Sequence, residues 1–222
     1  MKSFKSALLF LLLFAAWTLM IVTVDVEHAG PLGSAVGFAS FNCRFHNLTG
    51  VHMSLYTITD WLGLVPAAVC MFFAAMGFVQ LVKRRSLFKV DMDIILLGVY
   101  YIIVILVYLV FEMYPVNYRP VLIDGRLEAS YPSSTTLLVL SVMPTLAFQA
   151  KRRLKNMVVR RAVSMAAYAF SAFMVTGRLV SGVHWLTDII GSVLLSAGLF
   201  LLYKSFCDKG DSSWNSTKNF RN

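Results

Sequence analysis

The sequence predicts an all-α, polytopic membrane protein in which six transmembrane helices form one bundle. Three observations lead there. Of the 222 residues, 58% are hydrophobic and only 14% are charged, against about 25% charged in an ordinary soluble domain. The mean hydropathy is +0.71. Apolar stretches recur at about 7–24, 61–82, 94–111, 133–150, 162–180 and 185–203, each close to the roughly 20 residues that a helix needs to cross a bilayer. This composition excludes a disordered, collagen-like or disulfide-stapled secreted chain. Cys43, Cys70 and Cys207 share no metal-ligand spacing and imply no disulfide framework.

The first stretch follows Met1 to Lys5 and resembles a signal peptide in its basic start. It is long, however, and no small-residue cleavage site follows Val24, so it reads as a retained helix. Residues 25–60 carry Gly30, Pro31, Gly33 and Gly37 and then two short apolar patches, which predicts an interfacial or partly re-entrant lid. Spans two and three enclose the basic run Lys83 to Lys89. The segment 112–132 is dense in chemistry, with Glu112, Asn117, Arg119, Asp124, Arg126, Glu128 and Ser130. Span four follows Ser130-Tyr131-Pro132-Ser133-Ser134-Thr135-Thr136, where a proline at the first helical position and surrounding hydroxyls describe a helix start. Ser181-Gly182 breaks span five from span six. The expected organisation is one membrane domain over 1–207, with outer segments 25–60, 112–132 and 178–188 forming the site, and a polar, disordered cytoplasmic tail over 208–222.

Lys and Arg set the orientation. Sixteen of them lie on the side of the termini and four, Arg44, Arg119, Arg126 and Arg178, on the other. The asymmetry places both termini in the cytoplasm and any chemistry at the extracytoplasmic face. The same topology accounts for the net charge of +9, so nucleic acid is not an expected partner.

Three constellations lie on that outer side. In Gly177-Arg178-Leu179-Val180-Ser181-Gly182-Val183-His184-Trp185-Leu186-Thr187-Asp188, His184 and Asp188 are four apart and would share a helix face, the carboxylate holding one ring nitrogen while the other points outward. Arg178 would fall about 120° off that face on a continuous helix, and the break at Ser181-Gly182 lets it converge on the same ligand. The start of span four offers free N–H groups and a positive dipole end to an anion. In Asn117-Tyr118-Arg119-Pro120 the proline holds Arg119 in an extended segment, where its fork can meet two phosphate oxygens. Taken singly, a capping Asp, a hydroxyl-rich cap or a solvated Arg would account for each. No further His or carboxylate stands at usable spacing, so no metal site is expected.

Together these segments resemble the type-2 phosphatidic acid phosphatase family, integral-membrane relatives of vanadium haloperoxidases. The family signature has a Lys followed after six residues by Arg-Pro, then Pro-Ser-Gly-His, then an Arg followed after five residues by His and after three more by Asp. Arg119-Pro120, Pro132-Ser133, and Arg178, His184 and Asp188 match it, although the Ser usual before that last Arg is Gly177 here. The resemblance implies a lipid phosphatase without cofactor or metal, acting on a lipid phosphate or isoprenoid diphosphate among membrane lipids. In it His184 would attack phosphorus to form a phosphohistidine, Asp188 would orient the ring, and Arg119, Arg178, Ser133, Ser134 and nearby N–H groups would hold the phosphoryl oxygens.

Two departures bear on the chemistry. Glu112 stands where the family has Lys, and Thr135 where it has its second His. Glutamate repels phosphate, or pairs with Arg119 or Arg178 and positions them. Thr135 donates a hydrogen bond but is no general acid, a role typically worth about 10²–10⁴-fold. Three solutions follow. The substrate is a lipid diphosphate, whose leaving phosphate needs little protonation; or His28, His46 or His52 supplies the acid; or Glu112 marks a cationic head group on a phosphodiester, or is itself the acid. The diphosphate is preferred. The alternatives to a phosphatase are a head-group phosphotransferase or phosphodiesterase of the same fold and a catalytically impaired lipid-binding protein.

Overall fold

The computed structural model describes residues 2–219. In chain order its helices are α1 (Lys2–Thr23), α2 (Ala39–Thr49), α3 (Met53–Leu62), α4 (Leu64–Arg84), α5 (Met92–Met113), α6 (Ser134–Arg153), α7 (Met157–Val180) and α8 (Leu186–Asn219). The six long ones take up the six apolar stretches. The two short ones, α2 and α3, fall within the first outer segment.

Five helical segments, 3–23, 53–84, 92–113, 157–180 and 186–210, are long and apolar enough to span a bilayer. Helix α6 is the exception, because Thr135, Thr136, Ser141, Thr145 and Gln149 lie along it. It packs against α4, α5, α7 and α8 and buries eleven side chains, those five among them. A helix enclosed by protein meets little lipid and need not be greasy. Its polar groups bond across helices instead. Thr145 meets the Tyr101 hydroxyl at 2.7 Å, Ser141 offers its carbonyl to Tyr100 at 3.0 Å, and Gln149 donates to Tyr203 at 2.7 Å. The outer helices show the opposite pattern. Leu8, Leu12, Phe72, Phe78, Ile102 and Ile105 on α1, α4 and α5 are more than half exposed in the bare protein, as lipid-facing side chains are. The protein is multi-pass.

Helix α8 is the second central element and packs on α1, α5, α6 and α7. It continues to Asn219, so the polar stretch expected to begin a disordered tail at 208 carries on the helix, and residues 220–222 lie outside the described ones. On the side of the termini, Arg153 grips both oxygens of Asp93 at 2.8 Å and reaches Asp91 at 3.1 Å, while Arg84 meets Asp91 at 2.7 Å. These pairs tie the ends of α4, α5 and α6 together.

Candidate active site

Helix α7 stops at Val180, and the chain turns through Ser181 and Gly182 before α8 starts at Leu186. Gly182 has φ +70°, and a Cβ there would stand 2.1 Å from the Gly50 carbonyl oxygen, so glycine is required both by conformation and by space. The first outer segment clamps this turn. The His52 N–H donates to the Ser181 carbonyl at 2.9 Å, and the His46 ring to the Gly182 carbonyl at 3.0 Å. His28 meets Gly33 O, and His52 Nε2 meets Thr49 O, each at 2.9 Å. All three histidines of the first outer segment are thus engaged with backbone carbonyls.

His184 sits in the turn, not on α8, which corrects the expectation that it shares a helix face with Asp188. The carboxylate caps the helix from inside its first turn, accepting the Trp185 N–H at 2.9 Å, the reciprocal half of a capping box. Its Oδ2 stands 3.8 Å from His184 Nδ1, and Asn117 donates to its Oδ1 at 3.4 Å. The closest partner of Nδ1 is the Ser130 backbone carbonyl, at 3.1 Å. A carbonyl only accepts, so Nδ1 carries the proton and Nε2 keeps its lone pair. His184 is 3% exposed. Burial, with Arg119 and Arg178 nearby, holds its imidazole well below the usual histidine range, so the ring is neutral at neutral pH.

Arg178, on the last turn of α7, is 1% exposed. Its Nη2 lies 3.5 Å from His184 Nε2, its Nη1 lies 3.5 Å from the Thr59 hydroxyl and 3.7 Å from Asp60 Oδ1, and the guanidinium stands over the Tyr56 ring at 4.8 Å. Arg119 reaches the same ring from the other outer segment, at 5.8 Å. That segment folds back on itself: Arg119 N–H donates to Glu128 O and Ser130 N–H to Asn117 O, about a turn in which Asp124 and Gly125 both have positive φ. Asp-Gly is the signature of such a hairpin. Glu128, not Glu112, is the carboxylate partner of Arg119, at 3.0 Å from Nε. The contact lacks hydrogen-bond alignment, so Arg119 Nε is ion-paired but not hydrogen-bonded there; Arg119 Nη1 and Arg178 Nε are also buried without a hydrogen-bond partner.

The N-cap of α6 is Ser133, with Pro132 before it, so the expectation of proline at the first helical position is corrected. The buried Tyr131 ring, seated where a Cβ of Gly191 on α8 would fall and bonded to the Thr18 hydroxyl, holds this stretch outside the helix. Ser133 Oγ turns to Thr136 at 3.0 Å, leaving first-turn N–H groups of α6 unclaimed by its side chain. Two cavities flank this start. One, of about 280 Å³, is lined by Tyr108, Phe111, Glu112, Arg119, Glu128 and Ser134 among others. The second, of about 290 Å³ and mostly apolar, is lined by Asp60, Gly63, Val104, Tyr108, Ser134 and Thr135 among others. Glu112 forms no ion pair among the described residues, and no three His, Cys, Asp or Glu side chains among them converge as for a metal.

Tyr56, Thr59 and Asp60 were not foreseen. They stand on α3, whose only signal was an apolar patch, and they reach Arg178 because Gly177 is small: a Cβ there would be 2.7 Å from Thr59 Cγ2.

A family model described as the PAP2 superfamily matches residues 94–210, just over half of the chain. Among solved structures, the chain is similar to a transmembrane PAP2-type phosphatidylglycerolphosphate phosphatase from Bacillus subtilis, at 19% identity and a TM-score of 0.65, over 94% of this chain and 98% of that one. No curated protein matches in sequence.

Proposed function

The chain belongs to the PAP2 superfamily, and from that premise we propose that it is a lipid phosphatase working at the extracytoplasmic face through a phosphohistidine on His184. One observation carries this reading: in two buried guanidiniums Arg119 Nη1 and Arg178 Nε have no hydrogen-bond partner and Arg119 Nε has only an unaligned ion pair with Glu128, beside a neutral imidazole whose Nε2 is unprotonated. Buried donors are almost always paired, and three from two arginines suit the equatorial oxygens of a phosphoryl group in transit. Nε2 attacks phosphorus, the leaving group departs, and water then cleaves the P–N bond. Arg178 stabilises the charge that develops next to Nε2. Arg119 and the first N–H groups of α6, after Ser133, hold the remaining oxygens, with Ser134 at the rim.

The first substrates to test are a lipid phosphate monoester, the class of the Bacillus subtilis phosphatase by its name, and an isoprenoid diphosphate. The diphosphate suits a site in which Thr135 replaces the imidazole acid. A second reading rests on Glu112 and Glu128, which line one cavity with Arg119, Tyr108 and Phe111. Carboxylates and aromatic rings beside a phosphate site suit a cationic head group. Phosphate release from a panel of these lipids by the purified protein, with His184→Ala in parallel, is the test. Equal release by the variant would end the phosphohistidine mechanism.

A further inference from the structure

Resting on the phosphohistidine reading, we propose that Asp60 is the general base of the second half-reaction, taking a proton from the water that hydrolyses the phosphorylated His184.

A phosphohistidine needs a water activated on the side of phosphorus away from the ring. Thr135 has no capacity to accept that proton at neutral pH, and the histidines of the first outer segment, His28, His46 and His52, are engaged with backbone carbonyls. Asp60 is differently placed. Arg178 bridges it to the nucleophile, one end of the guanidinium 3.5 Å from His184 Nε2 and the other 3.7 Å from Asp60 Oδ1. Across a planar guanidinium the carboxylate and Nε2 are therefore less than about 10 Å apart. That bound is compatible with a phosphorus bonded to Nε2, a water about 3–3.5 Å behind it and a carboxylate within hydrogen-bond reach of that water.

Two further features support the assignment. Asp60 lines the cavity that Thr135 and Ser134 also line, so the carboxylate borders the position where the family's second imidazole would stand. Its side chain is 58% exposed while that of Arg178 is 1% exposed, so Asp60 joins a buried site to the protein surface. It is held there by Gly177, against which Thr59 packs with no room for a Cβ.

In the step, the water oxygen bonds to phosphorus and the P–Nε2 bond breaks. The electron pair returns to Nε2, restoring the neutral ring whose Nδ1–H stays on the Ser130 carbonyl. The proton goes to the Asp60 carboxylate, at the protein surface.

The experiment uses the full chain in detergent with a ³²P-labelled isoprenoid diphosphate, following leaving-group release and protein-bound phosphate in rapid quench. In Asp60→Asn the first turnover should persist as a burst near one equivalent, steady-state turnover should fall about 10²–10⁴-fold, and alkali-stable, acid-labile phosphohistidine should accumulate. Asp60→Ala should behave alike and recover on addition of formate. A burst that falls in step with turnover, or no recovery with formate, would show that Asp60 only positions Arg178 and would overturn the proposal. His184→Ala separates the two layers: label or turnover that survives in it removes the phosphohistidine reading itself, and the proposal with it.

Discussion

The Ser130 carbonyl oxygen lies 3.1 Å from His184 Nδ1, closer than the Asp188 carboxylate at 3.8 Å. A backbone group, which no side-chain substitution removes, thus sets the tautomer of the proposed nucleophile. Asp188 is committed to the Trp185 N–H at the start of α8. Its removal should therefore cost less than in a catalytic triad, where the carboxylate alone fixes the ring and its amide costs about 10⁴. Asp188→Asn is expected to retain turnover at about one tenth to one hundredth of the native kcat, and His184→Ala to retain none. Steady-state kinetics on one lipid phosphate, with protein amount matched, decides between these values.

Protonation of His184 should set an acid limb. The folded ring is held well below the usual histidine range by burial and by two arginines. Because the neutral form is favoured, kcat/KM should stay flat through pH 6.5, the ordinary imidazole value, and fall only at lower pH. The same sign governs stability, since an unfolded chain gains a proton below about pH 6.5 that the folded one refuses. The profile of kcat/KM, corrected for the substrate's own ionisation, is the measurement; an inflection at 6.5 would mean a solvated ring.

Gly177 decides how closely α3 approaches α7. A Cβ at 2.7 Å from Thr59 Cγ2 forces a shift of a buried, β-branched side chain. Gly177→Ala should move Tyr56 and Asp60 away from Arg178 and lower kcat about tenfold or more while the protein remains folded. Gly98, which meets nothing within 4 Å of an added Cβ, is the control, and Gly98→Ala should be neutral.

Thr135 lines the mostly apolar cavity alongside Asp60. If an absent imidazole limits cleavage of poor leaving groups, Thr135→His should raise the rate on a lipid monoester more than on a lipid diphosphate, since only the alkoxide needs a proton. The informative quantity is the monoester-to-diphosphate ratio of kcat/KM. Glu112→Gln tests the other cavity and should lower KM for an anionic lipid phosphate. If a cationic head group is the native ligand, the same change should raise KM for that lipid.

Both termini are expected in the cytoplasm, from the sixteen-to-four division of basic residues. In a background without Cys43, Arg126→Cys should react with an impermeant thiol reagent in intact cells and Asn156→Cys should not. The reverse pattern would invert the protein and place His184 inside.

Membrane class, the number of long helices and the family were legible in the sequence because each rests on local information: the length and greasiness of a run, or a motif whose members lie within a dozen residues, as Arg178, His184 and Asp188 do. Helix α6 was read from its own stretch at 133–150, although its polar side chains keep it from passing as a span by composition. The extended segment at Arg119 was legible through Pro120, and the Asp124-Gly125 turn carried a hairpin signal that went unread. Which carboxylate meets which arginine was decided by tertiary structure alone. Glu128 pairs with Arg119 because a hairpin places it there, Ser130 holds His184 through a carbonyl that any residue would offer, and Asp60 comes to Arg178 from 118 positions away. These contacts join segments whose separation along the chain has no periodicity, so only the packing of α3 on Gly177 and of Tyr131 on Gly191 brings them together.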